Sequence, residues 1–290
     1  MTFAEKIKAA RKTSGMSQET LAEKLGVSRQ AVTKWETGRG IPDVDNMMII
    51  SNLFGISVDE FLSHEKEAIV RKGYLYESRT DYDIDGWKHF DLKLGGARLL
   101  KLKGVDGEKI GVRLASNDLE SIGNDFKVKI DDIKNWAEIE IKRQNKMTQA
   151  IAKEHLVIDL LVPRRFVSDM EIEINCSEVE IRDVVCDRID FKGKIGKLDI
   201  DSMKGYVTVD SNLDMDIGIS NYSGTFGLNQ VSATSRISVP NDYEFRTIVK
   251  GIGNIVTYES NGVESKDFST KHAENAVEFN GLKSELVIAR

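Results

Sequence analysis

Gln18-Glu-Thr-Leu-Ala-Glu-Lys-Leu-Gly-Val-Ser-Arg-Gln-Ala-Val-Thr-Lys-Trp-Glu-Thr-Gly38 decides the fold of the first part of this chain. It reads as two short helices joined by a tight turn. Ser17 is placed to cap the first, with Glu19 adding negative charge to the first turn, and Gly26 is placed to stop it. Ser28 caps the second, which runs from Arg29 to about Thr37 and ends at Gly38. Leu21, Ala22, Leu25, Val27, Val32 and Trp35 are spaced to hold the two helices together. Arg29, Gln30, Thr33 and Lys34 are left on the outer face. Their groups suit base edges in a DNA major groove: Arg and Lys for guanine acceptors, Gln for adenine, a Thr methyl for thymine. The same side chains would also serve as an ordinary solvated helix face.

Outward from this stretch the helical period continues. Phe3, Ile7 and Ala10 predict a first helix to about Thr13, ended near Gly15. Pro42 and Asp43 predict a turn, with Asp45 or Asn46 capping a fourth helix through Ile49 and Leu53 to Gly55. Val58 to Leu62 reads as one last helical turn. Residues 1–63 therefore form an all-α, five-helix unit. Residues 64–87 read as a connection, helical over Ser63–Lys72 or a plain linker.

These residues resemble the Cro and phage-repressor type of helix-turn-helix, the xenobiotic-response-element family. Leu25 through Gly38, Pro42 and Phe54-Gly-Ile-Ser-Val-Asp-Glu-Phe-Leu62 carry the likeness, over about a fifth of the chain. The resemblance implies a sequence-specific transcriptional regulator, more commonly a repressor. It implies that Gln18 binds a backbone phosphate, that Ser28 touches backbone or a neighbouring base, and that Arg29, Gln30 and Lys34 read bases, with Thr33 beside them. Arg39 would face phosphate, and Arg11 and Glu36 would form a largely buried ion pair. Double-stranded DNA carrying an inverted repeat, bound by a homodimer, is the implied partner.

From Trp87 onward the period changes to 2, predicting an all-β region over 88–290, solenoid- or sandwich-like with short strands. Phe90–Leu94, Leu100–Leu102, Ile110–Leu114, Ala137–Ile141 and Leu156–Val162 read as strands. Alternating units then begin at Ile172, Val179, Ile189, Leu198, Val207, Ile217 and Phe226, a mean step of 9 residues. Gly193, Gly196, Gly205 and Gly224 lie between them. Such spacing suits a β-solenoid with two faces per coil, or a sandwich. The outline resembles adhesin-like β-solenoid domains, which implies a shape but no activity. Dimer assembly or the sensing of an effector or partner is its expected role.

The net charge of −6 decides little, because residues 1–65 hold eight Lys/Arg against nine Asp/Glu. What matters is whether cations gather on one face. Cys176 and Cys186 are too few for a structural zinc site and read as reduced, packed residues. His64, His89, His155 and His272 make no metal spacing, and no phosphate-binding loop or cofactor motif is present. The paired carboxylates Asp199/Asp201 and Asp214/Asp216 read as a solvated face rather than a calcium site. No enzyme is expected, and with neither a secretory signal nor a long apolar run the cytoplasm is the expected compartment. A protein-interaction scaffold that has lost DNA binding, or a self-cleaving repressor with a Ser–Lys dyad, are the alternatives.

Overall fold

A computed structural model describes residues 3–37, 40–56, 58 and 74–290, and the chain divides into two units, Met1–Leu75 and Tyr76–Arg290. In the first unit the helices are α1 (Phe3–Thr13), α2 (Gln18–Leu25), α3 (Arg29–Glu36) and α4 (Val44–Phe54). Phe3, Ile7, Leu21, Ala22, Leu25, Val32, Trp35 and Ile50 bury into one core. Gly26 takes the left-handed conformation, φ 67°, that lets the chain leave α2 and turn into α3. The fourth helix starts earlier than the sequence implies. Its cap is Asp43 rather than Asp45 or Asn46, and the Asp43 carboxylate accepts from the Asn46 backbone N–H at 2.9 Å. Gly38, Arg39 and residues 59–73, with most of the expected fifth helix, lie outside the described residues.

In the second unit the strands are β1 (Tyr76–Asp83), β2 (Lys88–Val105), β3 (Lys109–Ser116), β4 (Phe126–Ile133), β5 (Trp136–Arg143), β6 (Val157–Pro163), β7 (Val167–Arg182), β8 (Val185–Lys192), β9 (Ile195–Asp210) and β10 (Asp216–Val231). They continue with β11 (Thr234–Ser238), β12 (Phe245–Ile252), β13 (Ile255–Ser260), β14 (Val263–Ser265), β15 (Asn275–Leu282) and β16 (Glu285–Ala289). Two short helices, Ile122–Asp125 and Gln149–His155, interrupt them. Part of the expected 64–87 connection is in fact β1. Its outward residues are polar on an edge, which hides the period, and antiparallel pairing with β3 holds it in place. Likewise Phe90–Leu94 and Leu100–Leu102 are one strand, β2, bent by a register shift between Lys93 and Gly95.

The pairing pattern settles solenoid against sandwich. Leu198 pairs in parallel with Ile217 and Val207 with Phe226, each 19 residues further on. A coil therefore contains two of the 9-residue steps, one on each face. Inside, Ile172, Phe191, Val209, Leu228 and Phe279 stack as one buried column. Val179, Leu198, Ile217, Ile237 and Ile288 stack as the other. At one corner the chain passes so closely over the coil below that a Cβ on Gly224 would lie 1.9 Å from the Gly205 carbonyl oxygen. The last coil in sequence is not the last in space: β15 lies between β10 and β12, and β16 between β11 and β13. Phe268 caps that end, its ring 5.1 Å from Tyr258 and 6.0 Å from Phe245. The antiparallel pair β1–β3 and the hairpin β4–β5 finish the other end.

Candidate nucleic-acid interface

The presentation of α3 depends on a buried ion pair. Arg11 on α1 donates from Nε to Glu36 Oε1 at 2.5 Å and from Nη2 to Oε2 at 3.0 Å, and Nη1 reaches the Met16 carbonyl at 2.7 Å. The two side chains are 11% and 2% exposed, so neither charge has water to fall back on. Gln18 completes the group by donating to Glu36 Oε2 at 2.9 Å. Burial pushes the Glu36 carboxyl up, but the bonds from Arg11 and Gln18 and the charges of Arg11 and Lys8 outweigh it and hold it below the usual range. The hydrogen bond to Glu36 raises Arg11 further above its already high value. First, second and third helices are thus tied at one point.

Ser17 and Ser28 cap α2 and α3, accepting from the backbone N–H of Thr20 at 3.0 Å and of Ala31 at 3.2 Å. Buried Val32 and Trp35 fix which side of α3 faces the core. Ser28, Arg29, Gln30, Thr33 and Lys34 are consequently exposed together. The side chains of Gln30 and Lys34 hold no hydrogen bond or ion pair among the described residues. Arg29 lies 3.5 Å from Glu19, both side chains more than 60% exposed, a contact too weak and too wet to restrain it.

Two expected contact residues are differently engaged. The Gln18 side chain belongs to the Arg11–Glu36 group, and its Oε1 accepts from the Thr33 hydroxyl at 3.3 Å. That hydroxyl also reaches the Arg29 carbonyl at 3.0 Å, which leaves the methyl as the group Thr33 has to offer a base. The sequence marks Glu19 only as a first-turn charge; its contact with Arg29 is not legible there because the two lie ten residues apart on different helices. Arg39 is outside the described residues. In the second unit the paired carboxylates bind cations and amides: Asp199 takes Lys197, and Asp201 takes Arg182 and Asn221. Cys176 and Cys186 are free and buried, and burial pushes both thiols up to about 12. Among the described residues no helix is long and apolar enough to cross a membrane.

A helix-turn-helix family pattern matches residues 7–61. The HTH-type transcriptional activator BcrR of Enterococcus faecalis is 44% identical over 66 residues, which are 23% of this chain and 32% of BcrR. An uncharacterised HTH-type transcriptional regulator of Methanocaldococcus jannaschii is 34% identical over 62 residues, covering 21% of this chain and 94% of that protein. The chain spans between 32% and 56% of the length of the first curated relatives it matches. The second unit is similar to a candidate adhesin of Bacteroides fragilis, at 14% identity and a TM-score of 0.44, over 75% of this chain and 99% of that one. Through residues 7–61 the chain belongs to the helix-turn-helix transcriptional regulators.

Proposed function

We propose that the protein binds double-stranded DNA sequence-specifically and acts in the cytoplasm as a repressor, with α3 in the major groove. The observation that carries this reading is the outer face of α3: Arg29, Gln30 and Lys34 stand exposed on a helix whose position is fixed by the Arg11–Glu36–Gln18 group. In this reading Arg29 and Lys34 take guanine acceptors, Gln30 takes adenine and the Thr33 methyl meets thymine. Phosphate binding at Gln18 is assigned to its main-chain N–H, unpaired at the start of α2, because its side chain is already engaged. Ser28 keeps its hydroxyl proton free for backbone, and Arg39 adds a phosphate contact.

So few cations per domain favour a homodimer on an inverted repeat about one helical turn apart. The solenoid unit is proposed to support that assembly or to receive an effector. The test is selection from random duplexes, followed by anisotropy titration of the selected site at two salt concentrations. One inverted-repeat sequence should emerge, and Arg29→Ala/Lys34→Ala should abolish the preference for it. Weak, salt-sensitive association with no selected sequence would instead make the helix-turn-helix a scaffold. BcrR is described as an activator, so direction is tested separately: a promoter carrying the selected site should be less active when the protein is expressed.

A further inference from the structure

The outer side of the sheet formed by β1, β3, β6 and β2 carries a hollow of about 300 Å³. Strand register explains its lining. Arg79 pairs with Arg113, Arg113 with Asp159 and Asp159 with Lys101, which makes one row across four strands. In the next outward row Asp81, Gly111, Leu161 and Lys103 are neighbours in the same way. Gly111 leaves that row open. A Cβ there would lie 3.0 Å from Asp81 Oδ1 and 3.5 Å from Leu161 Cβ. The result is an apolar patch, Gly111 and Leu161, among four cations and one carboxylate, Asp159, whose charge is taken by Arg113.

Two of those cations are committed. Arg79 donates to both oxygens of Asp81, at 3.0 and 2.9 Å. Arg113 is divided between Glu77, at 2.5 Å, and Asp159, at 2.8 Å. The Lys101 and Lys103 side chains have no hydrogen bond or ion pair among the described residues. Glu180, the register neighbour of Lys101 on β7, pairs with Arg182 instead. The contrast with the rest of the solenoid is clear. Lys93, Lys192, Lys197 and Lys250, at comparable outward strand positions, each hold a carboxylate. In a chain with a net charge of −6, two adjacent uncompensated ammonium groups beside an apolar hollow are a ready anion receptor.

We propose that this hollow binds a small organic phosphate, a phosphomonoester dianion. The phosphoryl oxygens sit between the Lys101 and Lys103 ammonium groups, and the organic group lies against Leu161 and Gly111. A dianion balances both lysines, whereas a monocarboxylate leaves one unbalanced. The volume matches the small end of ligand sites, roughly 300–1,000 Å³.

The test is calorimetric titration of the full chain, without DNA, with phenyl phosphate as the probe. Inorganic phosphate and phenol separate the two halves of the ligand. Saturable one-to-one binding of phenyl phosphate is expected, weaker by about tenfold or more for either half alone and for Lys101→Gln/Lys103→Gln, from the loss of charge-assisted bonds. Gly111→Val, which fills the hollow and keeps every charge, should weaken binding to the same degree while circular dichroism and the melt stay those of the parent. Absence of saturable heat at millimolar phenyl phosphate would overturn the proposal. So would equal affinity in the double lysine variant, or an unaffected Gly111→Val, which would reduce the effect to surface charge. Since no DNA is present, these outcomes are independent of the operator selection.

Discussion

Arg11→Ala would strand a Glu36 carboxylate whose side chain is almost wholly buried, and breaking a buried pair in this way costs about 3–5 kcal/mol. A urea titration followed by tryptophan fluorescence in a Trp87→Phe/Trp136→Phe background, which leaves Trp35 as the reporter, should show the N-terminal unit losing most of its stability; a loss under about 1 kcal/mol would mean that water reaches the pair. The same carboxylate gives a pH signature. Because its folded pKa is depressed, its contribution is complete above the unfolded value of about 4.3 and disappears as pH falls through the folded one. Glu36→Gln should therefore flatten the acid limb of the stability curve as well as lower its plateau. At the cysteines the expectation is inertness. With both thiols buried and pushed up to about 12, Ellman's reagent at neutral pH should label neither Cys176 nor Cys186 until denaturant is added.

The coil corner makes the sharpest prediction for the strands. Gly224 has φ 147° and Gly205 φ 141°, and the two are paired in register, so an added methyl meets the carbonyl of the coil below. Gly224→Ala should cost on the order of 3 kcal/mol or abolish folding of the second unit, read as a fall in the denaturation midpoint. Gly196→Ala is the control: it meets the Ser177 carbonyl at 3.2 Å without a positive φ and should be far milder. These corners also explain what the residues revealed in advance. The 9-residue step was readable because each half-coil needs its own inward apolar pair and its own turn. Edge strand β1 was not, since Glu77, Arg79 and Asp81 face outward and the partly covered Tyr76, Ser78 and Thr80 are too mixed to show a period.

The two cores, one of helices and one of stacked coils, share no residue. Residues 76–290 expressed alone should therefore keep the β circular-dichroism spectrum and melt within a few degrees of the same unit in the full chain. A fragment that fails to fold would show that the first unit contributes to the second. DNA selection, by contrast, should need only the outer face of α3 and a means of pairing two copies.

The helix-turn-helix was legible almost to the residue because its signals are local. Ser17, Gly26 and Ser28 act on backbone groups three or four positions away, and the apolar spacing names the buried side. The existence of a coil was equally local, a matter of alternation and turn residues. What the coil pairs with was not. Whether Leu198 lies beside Val207 or beside Ile217 depends on inter-strand hydrogen bonds that leave no mark in the spacing, so only the tertiary structure chose solenoid over sandwich. It alone placed the last coil, β15–β16, inside the stack, because that insertion joins strands some fifty residues apart. It also gave Gln18 to Glu36 and left the Lys101 and Lys103 side chains without a partner among the described residues. Both outcomes depend on which side chains meet across the fold, and no local pattern records that.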